Sequence, residues 1–132
     1  MCELMRVVEG AEDMLSDTNT TYTVFAPTNS GLSRFYTESG VRFNFEEVFL
    51  FHVVDGEMLF KDDLPCDAGL NLIEMFNGRD SRTLCDKFDE PIGQKGFGNE
   101  LPIPFVAFDL VACNGVIHTI SDVLLSPETI VN

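Results

Sequence analysis

The sequence predicts an α+β domain, because apolar residues recur at helical spacing in its first half and β-branched runs joined by Asn-Gly turns fill its second. Its 132 residues are 45% hydrophobic, enough for one core, so residues 1–132 read as a single domain. A chain of this length buries about 68% of its unfolded surface without a metal to hold it. No apolar run approaches the roughly 20 residues of a spanning helix, and membrane contact is expected only through segments outside this sequence.

Leu4, Val7, Val8, Ala11 and Leu15 share one helical face while Glu3, Arg6, Glu9, Glu12 and Asp13 take others, which predicts an amphipathic helix over 2–16. Ser16 to Thr20 ends it. Thr21 to Phe25 is β-branched and aromatic and runs into Pro27, the pattern of a short strand. A helix capped by Thr28 follows, burying Leu32, Phe35 and Tyr36, with Gly31 costing about 1 kcal/mol relative to Ala. Gly40 breaks the chain, and Asn44-Phe45-Glu46-Glu47 forms a capping box, with Phe43 placed to staple onto Val48, for a helix reaching Phe51. Leu70 to Phe76 and Arg79 to Lys87 predict a hairpin closed by a type I′ turn at Asn77-Gly78. Gln94 to Asn99, with Gly93, Gly96 and Gly98 nearby, predicts an irregular loop. Ile103 to Cys113 and Val116 to Ile120 predict a second hairpin turning at Asn114-Gly115, and Val123 to Leu125 closes the domain against Pro127.

Eight Lys and Arg stand against 22 Asp and Glu, a net charge of −14 that repels phosphate backbones and excludes nucleic-acid binding. The acids are spread along the chain and accompanied by 12 Phe, so they belong to a folded surface. Such a surface suits cationic partners or divalent ions, and serves solubility equally well. The cysteines Cys2, Cys66, Cys85 and Cys113 form no Cys-x-x-Cys pair, which leaves two bridges or four thiols. With the turn at Asn77-Gly78, Leu70 falls near Cys85, and Cys66 lies a modest bend away from a bridge to Cys85. Cys2 and Cys113 are then either paired by elimination or both buried thiols. Asn19-Thr20-Thr21 is a glycosylation sequon in a polar loop. Met1 is followed at once by the first predicted helix, and the expectation is a piece of a longer secreted or surface protein.

Three segments stand out: Thr21-Tyr22-Thr23-Val24-Phe25-Ala26-Pro27-Thr28-Asn29, then Phe51-His52-Val53-Val54-Asp55-Gly56, then Asn114-Gly115-Val116-Ile117-His118-Thr119-Ile120 with Val123-Leu124-Leu125. In order and separation they resemble the two signatures and the intervening Tyr-His region of a fasciclin domain. The resemblance implies a wedge-shaped β-sandwich of about seven strands with several helices at one end, acting as an adhesion module in secreted or surface-anchored proteins, without catalysis or cofactor. Phe51, His52, Asn114, Gly115 and His118 are the signature positions it marks for possible interaction. This chain departs from the family pattern in Ser30-Gly31-Leu32 for Glu-Ala-Phe, in Phe51 for the Tyr of members proposed to bind integrins, and in Ser121 for Asp, beside Asp122.

The residues themselves argue the same way. His52 and His118 are the only histidines, and their settings favour satisfying buried backbone groups over catalysis. No Gly-x-Ser-x-Gly, His-Glu-x-x-His or Ser-x-x-Lys pattern with a fitting context occurs. Glu46-Glu47, Asp62-Asp63 and Asp89-Glu90 are adjacent acids suited to solvation, and Asp55-Gly56-Glu57 is too sparse for a calcium loop. The expected function is a non-enzymatic extracellular module whose partner is a protein or glycan of the matrix or cell surface. The alternatives are an acidic secreted domain that binds calcium or other divalent ions weakly, and glycans through them, or an enzyme of unknown class.

Overall fold

A computed structural model describes residues 16, 19–38, 42–67, 69, 71–112, 114–126 and 130–131. The helix expected over 2–16 lies outside the described residues except for Ser16, a turn residue, as do Gly40, Leu70, Cys2, Cys113, Pro127 and the side chains of Tyr36 and Phe43.

The described chain is mostly β. In order it forms β1 (Tyr22–Pro27), α1 (Asn29–Glu38), β2 (Arg42–Phe43), α2 (Phe45–Leu50), β3 (Val53–Asp55), a 3₁₀ turn (Lys61–Asp63), β4 (Leu72–Glu74), β5 (Asp80–Cys85), β6 (Pro91–Gly96), β7 (Ile103–Ala112), β8 (Gly115–Ile120) and β9 (Ile130–Val131). Seven strands make one sheet in the order β3-β1-β8-β7-β6-β5-β4, with β2 and β9 paired apart from it. The sheet curls until its two edges touch, the Phe76 amide donating to the Val53 carbonyl at 2.7 Å. A nearly closed barrel therefore stands where the resemblance implies a wedge-shaped sandwich.

Antiparallel pairing is the rule, with one exception at the centre. β1 and β8 run parallel, placing Thr23 beside Val116 and Phe25 beside His118, while β3 pairs antiparallel on the other side of β1. The three signature segments thus become three adjacent strands. Around them sit two apolar clusters, one built on Leu32, Val48, Phe49 and Val53, the other on Phe25, Phe51, Ile120 and Leu124.

Local chemistry explains the helices. Thr28 caps α1 by accepting from the Gly31 amide at 3.1 Å, and α1 buries Leu32 while Phe35 is half-buried. Asn44 caps α2 by accepting from the Glu47 amide at 3.3 Å. The Glu47 carboxylate accepts from the Asn77 side-chain amide at 3.1 Å, tying α2 to a hairpin tip. Gly31 has a tertiary reason to be there, since a Cβ would strike the carbonyl oxygen of Ser121.

Several sequence expectations are corrected. The β4–β5 hairpin does not turn through type I′ geometry, which needs positive φ at both central residues. Only Gly78 has it, at +83°, and its amide donates to the Met75 carbonyl, a turn over Met75 to Gly78 that ends left-handed. Gly115 is a strand residue opposite Ala112, its missing Cβ making room for the Tyr22 carbonyl of β1. Residues 94–96, expected in a loop, complete β6, and Gly96 is required because a Cβ would meet the Leu125 carbonyl and the Phe51 ring. Val123 and Leu124 are buried and Leu125 half-buried, in a stretch without regular secondary structure. The three residues of β3 are too few to announce themselves by alternation. Cys66 and Cys85 are joined as a disulfide with their Cα atoms 5.7 Å apart, pinning the chain before β4 to the end of β5.

Two stability predictions follow from these contacts. Gly96→Ala should cost about 1–3 kcal/mol, read from the urea midpoint, because the obstruction is backbone rather than a movable side-chain end. Replacing Cys66 and Cys85 by Ser should cost about 3 kcal/mol through the loop entropy returned to the unfolded chain, visible as a lower melting temperature that reductant no longer changes.

Candidate functional site

The seam where the curled sheet nearly closes is also where it opens. Beyond Asp55 the chain turns at Gly56, whose φ of +83° favours glycine. The buried Thr23 hydroxyl then donates to the Glu57 carbonyl and accepts from the Leu59 amide, both at 2.7 Å, drawing this segment away from β4. Between it and β4 lies a groove of about 510 Å³. Its floor is apolar, with Val54, Ile73 and Met75 buried and Leu59 half-buried. Its rim carries the exposed carboxylates of Asp55, Glu57, Asp63 and Glu74, and no lysine or arginine lies among the lining residues.

Backbone groups also face this groove. Phe25 bonds to the His52 carbonyl and Gly56 to that of Thr21, so in the antiparallel alternation Val54 turns its amide and carbonyl toward β1 and Asp55 turns its own outward. Across the groove, Met75 bonds to Arg79 and Thr83 to Asn71, so Ile73 faces β5 while Leu72 and Glu74 face the seam. Local sequence does not mark this site. Asp55 and Glu57 were visible as an acid-Gly-acid string, but only the fold brings Glu74 opposite them.

The signature residues lie elsewhere. Phe51, His52 and His118 are all fully buried. His52 Nδ1 is 2.6 Å from the Val48 carbonyl, and its Nε2 accepts from the Leu124 amide at 2.9 Å, which fixes Nδ1 as the protonated nitrogen. Burial pushes the His52 pKa down to about 4, the Val48 bond opposing it. His118 is the mirror case: Nε2 lies 2.6 Å from the Leu59 carbonyl and Nδ1 accepts from the Asp109 amide at 3.2 Å. That amide reaches the ring because β7 bulges around Asp109, whose φ is +61°. Phe25, Phe105 and Phe108 surround the imidazole, with centroids 5.8, 6.3 and 5.6 Å away. Asn114 lies in the turn before β8, where its carbonyl accepts from Tyr22, and Asn19 is exposed in a turn. The structure does not bring the signature residues to one surface. Asp122 pairs with Arg34 at 2.6 Å, supplying near α1 the charge that Ser121 lacks. Among the described residues no group of three or more His, Cys, Asp or Glu side chains could hold a metal ion, and no helix is long and apolar enough to cross a membrane.

The class that these features define is a disulfide-tied, curled β-domain with its histidines in the core and an open sheet seam. Residues 2–126 match the fasciclin domain family, and the chain belongs to that family. It is similar in structure to a FAS1 domain pair from the insect cell adhesion molecule Fasciclin I, with a TM-score of 0.65 and 17% sequence identity. That likeness covers 93% of this chain and 43% of the other, so the chain spans less than half of that structure's length. No curated protein matches the sequence.

The buried imidazole of His52 makes stability depend on pH. Folded, it titrates near 4 against an ordinary value of 6.5, so between these values the unfolded chain binds more protons. Its contribution is intact above about pH 6.5 and is lost as pH falls toward 4, a loss of about 2 kcal/mol between pH 7 and 5. Urea unfolding at the two pH values should show this difference, and His52→Gln should flatten it.

Proposed function

We propose that this domain is a non-enzymatic adhesion module that works outside the cell or at its surface and engages a protein of the matrix or of a neighbouring cell. The observation that carries the reading is the fasciclin match over residues 2–126, which takes in nearly the whole chain. The Cys66–Cys85 disulfide supports the compartment, since such bonds persist where the environment is oxidising. The exposed Asn19 sequon is consistent with glycan attachment there. A wedge-shaped outline, with helices gathered at one end of the curled sheet, belongs to the same reading.

The histidines fit a scaffold role. Each ring spends both nitrogens on backbone groups, leaving neither imidazole free to move a proton at a surface. The test is attachment of cells to surfaces coated with the oxidised domain. Attachment well above that on a coat of heat-unfolded domain is expected, and equal attachment to both coats would overturn the reading.

A further inference from the structure

We propose that the seam between β3 and β4 takes up an extended, alternately apolar and basic segment of a partner protein as an additional strand. The proposal deepens the adhesion reading and rests on it for the partner being a protein.

The seam has the groups that strand addition needs. The amides and carbonyls of Asp55 on one side and of Leu72 and Glu74 on the other point into it, and among the described residues neither edge has a strand partner there. β3 and β4 run in opposite senses, so an inserted segment pairs parallel with one and antiparallel with the other. The three residues of β4 offer about 10 Å of edge.

Beyond the Phe76–Val53 bond the two edges do not pair with each other among the described residues, and charge supplies one reason. Extending the register set by the Phe76–Val53 bond would place Glu74 directly opposite Asp55. Like charges in that relation destabilise a strand pair. A segment lying between them with basic side chains turns the same two carboxylates into attractive contacts.

Side-chain chemistry then selects the occupant. Successive residues of a strand point to opposite faces. One face of the inserted strand meets the apolar floor of Leu59, Ile73 and Met75, and the other meets the carboxylates of Asp55, Glu57 and Glu74. An alternation of apolar and basic residues satisfies both. The net charge of −14 steers such a segment toward the domain but does not place it, so the test must separate strand pairing from attraction alone.

The probe is the blocked peptide Lys-Val-Lys-Val-Lys-Val, titrated into the oxidised domain and followed by amide chemical shifts and hydrogen exchange. Shifts and slowed exchange are expected at Asp55, Leu72 and Glu74. A version N-methylated at alternate amides keeps the charge and loses the ladder, and should bind about tenfold more weakly or worse, as should the wild-type peptide to an Asp55→Lys/Glu74→Lys variant. Both replaced side chains are exposed, and the variant's melting temperature verifies its fold. Equal binding of the N-methylated peptide, equal binding of Glu-Val-Glu-Val-Glu-Val, or exchange unchanged at the seam would each overturn the proposal. The two readings fail separately. Peptide pairing at the seam on a domain that attaches no cells overturns the adhesion reading and leaves the seam assigned. Attachment that the double variant leaves unchanged, with no peptide pairing, overturns the seam alone.

Discussion

The structure depends on one constraint: segments that leave the sheet and pack back against it must still satisfy the backbone amides and carbonyls they take out of water. A buried polar group without a partner costs on the order of 1–3 kcal/mol, and several such groups would exhaust the stability of a domain this small. Among the described residues two stretches face the problem, 57–61 after β3 and 121–125 after β8. Side chains from distant elements solve it. Thr23 and His118 serve Glu57 and Leu59, and the Asp109 carboxylate accepts from the Lys61 amide at 2.7 Å. Thr28 donates to the Ser121 carbonyl, His52 accepts from Leu124, and Asn99 donates to Val123 and accepts from Leu125. A histidine suits the task because its neutral ring is one donor and one acceptor held rigidly apart, able to bridge a carbonyl on one element to an amide on another.

Seen this way, the signature segments are legible for a reason. Their strings of β-branched and aromatic residues form the adjacent strands β3, β1 and β8, and the two histidines beside or within them supply the bridges. That chemistry is written locally, as is the cap at Thr28, so both could be read before the fold was known. The hairpin at Asn77-Gly78 was legible in position but not in turn type, because Asn tolerates positive φ without requiring it. Gly96 looked like loop punctuation. Its reason lies in Leu125 and Phe51, which only the fold brings against it. The groove was hidden for the same cause: Asp55 and Glu74 stand 19 residues apart in sequence, and neither is unusual alone.

Rigidity and openness are divided between the two ends of the sheet order. Inside the sheet, β1 is flanked by β3 and β8 and anchored further by Thr23, so it has no open edge, whereas β3, which carries the middle signature, is itself one side of the seam. At the seam, the bond between Phe76 and Val53 joins the two edges, and the chain then diverges at Gly56. The disulfide keeps the Pro65 side of the groove in place without sealing it, since it fastens to β5 rather than to β3.

Acidity acquires a structural meaning in this division. Most of the carboxylates are scattered over exposed positions, where each is worth little to stability and mainly maintains solubility. Asp55 and Glu74 differ because the register makes them neighbours in prospect: if the sheet closed completely, they would face each other on adjacent strands. Their repulsion opposes the last step of barrel closure, while the bond at Phe76 and the apolar floor favour it. The balance leaves an edge that resists pairing with itself. It would also resist pairing with the same edge of a second copy, which carries the same charges, and that protects an acidic domain with free strand edges from associating through them.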